Sequence, residues 1–148
     1  MNLPKYSSLG FTGSRDDRMP TIAQIAYVDN LLFVLQPFAV HHGDCVNSDE
    51  WFHARVTGPY KNNPFVHIHP PDNPKYRSLC TKGTRNILYP PKPYMKRNQD
   101  IVDASQGLIA TPHGPEEVRS GTWATIRRAR KKGIPICIVY PNGKVERG

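Results

Sequence analysis

The sequence predicts a three-layer α/β fold in which a parallel five-stranded sheet, strand order 3-2-1-4-5, carries helices on both faces. Three observations lead there. Short apolar runs ending in turn signals alternate with helix-spaced patterns along the chain, as βαβ units do. The last run, Ile134-Pro135-Ile136-Cys137-Ile138-Val139-Tyr140, is almost continuously apolar, as a strand covered on both faces should be. A length of 148 residues with a hydrophobic share of 38% suits a single domain over 1–148 with a sizeable core.

Each element has its own signal. Ser8-Leu9-Gly10-Phe11-Thr12 reads as the first strand, ending at the turn Gly13-Ser14-Arg15. Residues 21–35 follow as a helix, with Ile22, Ile25, Ala26, Val28, Leu32 and Leu35 near a helical period and Pro20 at its start. Pro37-Phe38-Ala39-Val40-His41-His42 is the second strand, entering the turn Gly43-Asp44. Ser48 or Asp49 caps a second helix to about Val56, and Gly58-Pro59 ends it. Pro64-Phe65-Val66-His67-Ile68-His69 is the third strand. From 70 to 96, Pro70, Pro71, Pro74, Pro90, Pro91 and Pro93 break the pattern, so a long irregular loop is expected, either binding or mobile. A helix near 95–105, a fourth strand at 108–111 and a helix at 122–132 stopped by Gly133 complete the alternation before the fifth strand and a terminal turn, Pro141-Asn142-Gly143-Lys144. Right-handed crossovers gather the β-to-α turns at one carboxyl edge, where open α/β sheets bind ligands.

The fourth of those turns is the most informative stretch: Gly114-Pro115-Glu116-Glu117-Val118-Arg119-Ser120-Gly121-Thr122-Trp123. A Gly/Ser/Thr turn opening a helix leaves free backbone N–H groups at the positive end of the helix dipole, a cradle for anions. Ser120, Gly121 and Thr122 bring backbone close to a phosphate, and Arg119 adds a planar, permanently charged clamp. A phosphate-bearing ligand is expected. The formal charge of +8, from 20 Lys+Arg against 12 Asp+Glu, favours an anionic partner without choosing between nucleotide and nucleic acid. Much of that excess lies in Arg127-Arg128-Ala129-Arg130-Lys131-Lys132, which lacks interleaved aromatics and reads as a solvated helix face before it reads as a DNA-binding one.

Other classes recede. No apolar run is long enough to span a bilayer. Met1-Asn2-Leu3-Pro4-Lys5 lacks the apolar region of a signal peptide, so cytoplasmic residence is expected. Cys45, Cys80 and Cys137 include no CxxC pair and are expected to be reduced thiols. His41, His42, His67 and His69 with Cys45 raise the question of zinc, since His67 and His69 share one face of a strand. Without HExxH or paired CxxC spacing, neither a metal nor a cofactor is expected.

Four blocks stand in order, each at a strand edge or helix start: Gly13-Ser14-Arg15, His42-Gly43-Asp44-Cys45, Arg97-Asn98-Gln99-Asp100-Ile101-Val102-Asp103 and Arg119-Ser120-Gly121-Thr122-Trp123. Together they resemble the SLOG superfamily, particularly its small YspA-like members, over nearly the whole chain. That superfamily includes the lonely-guy phosphoribohydrolases and the DNA-processing protein of transformation. The resemblance implies a Rossmann-like fold, a nucleotide or nucleotide-derived (ADP-ribose-like) ligand, and a homodimer. The phosphoribohydrolases carry a PGGxGTxxE block whose closing glutamate helps cleave an N-glycosidic bond. Aligning Gly121-Thr122 with its GT puts Thr125 at the glutamate, and a hydroxyl cannot stabilise an oxocarbenium charge as a carboxylate does. What carries over is phosphate binding at Ser120, Gly121 and Thr122, not hydrolysis.

The expected ligand contacts therefore come from Gly13, Ser14 and Arg15, from Gly43 and Asp44, from Arg97 and Asn98, and from Arg119 to Thr122. Asp44 and Asp49 suit ribose hydroxyls, although Asp49 serves equally as a helix cap. Glu116 and Glu117 read as salt-bridge partners of Arg119. Alternatively, Glu117 or Asp49 supplies the carboxylate that Thr125 lacks, giving an N-glycosidic hydrolase of nucleoside monophosphates. Trp123 anchors its helix, and Tyr89 and Tyr94 are candidates for stacking on a base.

Overall fold

The computed structural model describes residues 2–14, 19–58 and 62–148. Among these residues the chain runs through β1 (Ser8–Gly13), α1 (Ile22–Leu35), β2 (Ala39–His42), α2 (Ser48–Thr57), β3 (Phe65–Ile68), β4 (Asn86–Leu88), α3 (Tyr94–Asp103), β5 (Gly107–Thr111), α4 (Gly121–Lys132), β6 (Ile136–Val139) and β7 (Val145–Arg147). A 3-10 turn at Pro74–Tyr76 precedes β4.

The strands form one sheet in the order β4-β3-β2-β1-β5-β6-β7. Every neighbouring pair is parallel except β6 and β7, which are antiparallel. This corrects the expected five-stranded, wholly parallel sheet of order 3-2-1-4-5: seven described strands form a mixed sheet. The two additional strands escaped for different reasons. β4 is three residues long and sits inside the proline-rich stretch, too short to show a period. It is held by pairing with β3, with the Val66 N–H donating to the Arg85 carbonyl (2.9 Å) and Tyr89 N–H to that of Ile68 (3.0 Å). β7 folds back through the Asn142-Gly143 turn, where Gly143 takes a φ of +86° and Tyr140 N–H donates to the Lys144 carbonyl. Three residues, 141–143, separate Tyr140 from Lys144, and so short a connection supports only an antiparallel return.

Alternation along the strands sorts the core into two layers. Leu9, Phe11, Val40, Val66, Ile68, Ile109, Cys137 and Val139 face α1 and α2, meeting Val28, Leu32, Phe52 and Val56. Leu108, Ala110, Ile136 and Ile138 face α3 and α4, meeting Val102, Trp123, Ile126 and Ala129. Gly10 faces the second layer. A Cβ there would lie 2.7 Å from the Ser105 hydroxyl and 3.2 Å from Ile101, so glycine lets α3 approach β1 closely.

Local chemistry fixes the helix starts that border the carboxyl edge. Thr21 and Gln24 form a capping box on α1, and the Gln24 amide also donates to the carbonyls of Pro112 and Val139 (both 2.8 Å). Ser120 caps α4 by accepting Trp123 N–H at 3.2 Å, and Gly133 ends that helix in the left-handed conformation. Neither expected cap of α2 acts as one: Asn47 occupies the N-cap position. Ser48 instead donates its hydroxyl to the Ser14 carbonyl (2.6 Å), tying α2 to the end of β1.

Candidate functional site

A cavity of about 280 Å³ opens at the carboxyl edge of the sheet. β1 is flanked by β2 and β5, so the turns following these three strands meet around it. The end of β1 contributes Phe11, Thr12, Gly13 and Ser14. The β2–α2 turn adds Gly43, Cys45 and Asp49; α3 adds Tyr94, Arg97, Asn98 and Ile101. The β5–α4 turn supplies His113, Glu117, Arg119, Ser120, Gly121 and Thr122. Eleven of the thirteen residues expected from sequence thus line one cavity: Gly13, Ser14, Gly43, Asp49, Arg97, Asn98, Glu117, Arg119, Ser120, Gly121 and Thr122. Arg15 lies outside the described residues.

Asp44 does not line it. Its carboxylate accepts Arg77 Nε–H and Cys80 N–H, both at 2.8 Å, and the side chain is fully enclosed. Its backbone φ of +56° turns the chain into the α2 approach, so Asp44 holds the segment around 77–80 against the turn.

Arg97 is the dominant charge inside. It is buried, with Nη1 donating to the Gly43 carbonyl (2.5 Å) and lying 3.8 Å from Cys45 Sγ. Its Nε is buried with no hydrogen-bond partner among the described residues. No carboxylate hydrogen-bonds to this guanidinium among the described residues. A Cβ on residue 43 would collide with Nη1, so glycine is what allows the guanidinium to reach the turn.

Asp49 is the buried carboxylate of the cavity. Burial pushes its pKa up to about 6, against the opposing pull of Arg97 and of the Cys45 N–H it accepts at 3.2 Å. The remaining polar chain runs along the opposite wall: the Ser14 hydroxyl lies 2.9 Å from His113 Nδ1, and His113 Nε2 lies 3.6 Å from the Glu117 carboxylate. His113 was not anticipated. Its only signal is a position two residues beyond the fifth strand, at the edge where ligands bind.

At the start of α4, a Cβ on Gly121 would meet no atom within 4 Å, so open space adjoins the backbone there. The amides of Gly121 and Thr122 precede any possible intrahelical acceptor. Arg119 stands exposed at the rim with no hydrogen bond or ion pair among the described residues. The expected pairing of Arg119 with Glu116 and Glu117 is not what forms: Glu116 bridges Arg127 and Arg130, both at 3.1 Å, and Glu117 turns to His113. Thr125 is buried and returns its hydroxyl to the Gly121 carbonyl. Trp123 is buried among the α4 core residues, as an anchor should be. Tyr94 lines the cavity with the Arg97 guanidinium 5.3 Å from its ring centroid, whereas Tyr89 stacks on His69 outside it.

No protein-family model matches the chain, and no curated protein matches it in sequence. In structure it is similar to the molybdenum cofactor binding protein from the phototrophic bacterium Rippkaea orientalis. The TM-score is 0.62 at 19% identity, over 94% of this chain and 78% of that one. What the two share is the Rossmann-like α/β fold. Among the described residues no helix is long and apolar enough to cross a membrane.

Proposed function

We propose that the cavity binds a nucleotide or nucleotide-derived ligand, of the ADP-ribose type, as SLOG domains do. The observation that carries this reading is the pair of arginines on one cavity: Arg97, buried with an unpartnered Nε, and Arg119, without a partner among the described residues. A buried guanidinium with unused donors is costly unless an anion completes it. The α4 N-terminus lies on the same wall and offers backbone N–H groups of the same sign. Arg119 and the amides of Gly121 and Thr122 donate to phosphate oxygens, and Ser14 donates its hydroxyl proton to the phosphate while its oxygen accepts from His113 Nδ1–H. Asn98 and Asp49 face the sugar, and Tyr94 borders the base. Similarity of fold to a cofactor-binding protein adds support without fixing the ligand's identity.

The test begins with the protein as purified: denaturation followed by mass spectrometry of the released small molecules, then thermal shift of emptied protein against a nucleotide panel. The expected result is a phosphorylated nucleoside derivative that raises the melting temperature in a saturable manner. If no phosphate-bearing compound is released and none in the panel shifts the midpoint, the reading is wrong.

A further inference from the structure

Outside the cavity, on the face of the sheet covered by α2, three donor side chains from distant parts of the chain converge. His42 ends β2, His53 stands on α2, and Cys80 comes from the stretch between the 3-10 turn and β4. One ligand atom from each lies within 4.8 Å of the other two. Both histidines are buried and Cys80 is half-buried. From this convergence we infer that His42, His53 and Cys80 form a zinc site.

The donor set suits that ion. Imidazole nitrogen and thiolate sulfur are the ligands Zn²⁺ favours, and three of them leave one tetrahedral position for water or for Asp44, whose carboxylate already accepts Cys80 N–H. The ring of His53 is aimed for ligation: its Nε2 lies 2.7 Å from the Lys82 carbonyl, which fixes the proton there and leaves Nδ1 free. That Nδ1 is 2.9 Å from His42 Nε2. Sequence spacing concealed the set, because residues 42, 53 and 80 follow no zinc motif.

The two histidines also form a hydrogen-bonded relay between the Asp44 amide and the Lys82 carbonyl. Asp44 N–H donates to His42 Nδ1 at 3.0 Å, so the His42 proton sits on Nε2 and points to His53 Nδ1. Zinc and relay exclude one another. On binding, the Cys80 thiol gives its proton to solvent and sulfur bonds the metal. The His42 proton moves from Nε2 to Nδ1, which ends the hydrogen bond from Asp44 N–H. Two hydrogen bonds, Asp44 N–H to His42 and His42 to His53, are exchanged for three metal–ligand bonds.

Cobalt(II) reports on such a site directly. The whole chain, stripped with a chelator, is titrated with Co²⁺ and followed by absorption. The expected result is a tetrahedral d–d band with a thiolate-to-cobalt charge-transfer band, saturating at one ion per chain and bleached by Zn²⁺. Cys80→Ser removes the charge-transfer band and weakens Zn²⁺ binding by no less than the roughly 10–100-fold that loss of an outer-shell partner alone produces. Cys137→Ala leaves both unchanged. A wild-type spectrum without charge transfer, saturation well below one ion per chain, or a band that survives Cys80→Ser overturns the assignment and leaves the relay as the role of these residues. The wild-type spectrum needs no variant to fold, and none of these readouts depends on the nucleotide reading.

Discussion

Arg119, at the rim of the cavity in the turn before α4, has no partner among the described residues, whereas Arg127 and Arg130, on α4 itself, share Glu116. Arg130 also reaches Glu146 at 3.3 Å, and Lys132 donates to the carbonyls of Val102 and Asp103 at the end of α3. The basic run that dominates the net charge is thus largely committed to structure. Arg119 and the Nε of Arg97 are left uncompensated, and the proposed site rests on them. Net charge signals an anionic partner; uncompensated charge locates it.

Exposed ion pairs and buried titratable groups also respond differently to acid. Burial holds the pKa of His41 down at about 3 and that of His69 at about 4, with His42 also well below its usual range. Each therefore lends stability that is complete above its ordinary value of 6.5 and lost as pH falls toward its folded value. Each contributes a slope of about 1.4 kcal/mol per pH unit across that window. Asp49 acts in the opposite sense. Lifted from 3.8 to about 6, it favours the folded state fully below 3.8, and that contribution is gone above about 6. The histidines outnumber it, so urea unfolding at pH 7, 6 and 5 should show stability falling steadily with acid. His41→Gln should flatten the decline, while Glu116→Gln should leave its slope intact. An acid-insensitive wild type would contradict the buried-histidine account.

Gly43→Ala comes next in size. Its new methyl meets the Arg97 guanidinium, so a loss of about 1–3 kcal/mol in denaturant midpoint analysis is expected, together with loss of ligand binding. Retention of both would mean that Arg97 does not need its place against the turn. Ser120→Ala removes the cap of α4 and should lower stability by about 1 kcal/mol, measured in the same way. Arg127→Ala is the smallest, within about 0.5 kcal/mol, because its ion pair is exposed.

Much of the cavity was legible because its residues lie at strand ends and helix starts, where turn chemistry leaves a local record: Gly13-Ser14, Gly43 and Ser120-Gly121-Thr122. What escaped depended on tertiary placement. Asp44 looked like a sugar ligand, but Arg77 and the Cys80 amide, 33 and 36 residues away, claim it. β4 exists because β3 offers an edge, not because Asn86-Ile87-Leu88 announces a strand. β7 was in principle readable, since Asn142-Gly143 is a hairpin signal and the apolar run before it supplies the partner. His113 gains its role only because the fold brings it within 2.9 Å of the Ser14 hydroxyl, a contact spanning 99 positions.

The central claim is that unpaired arginine at the cavity, not basic surface elsewhere, holds a phosphate-bearing ligand. Calorimetric titration of ADP-ribose into wild type, Arg119→Ala and Arg127→Ala tests it most directly. The account predicts saturable wild-type binding, a loss of roughly tenfold or more for Arg119→Ala from one charged hydrogen bond, and wild-type affinity for Arg127→Ala. Equal weakening by the two substitutions, or none by Arg119→Ala, would contradict it.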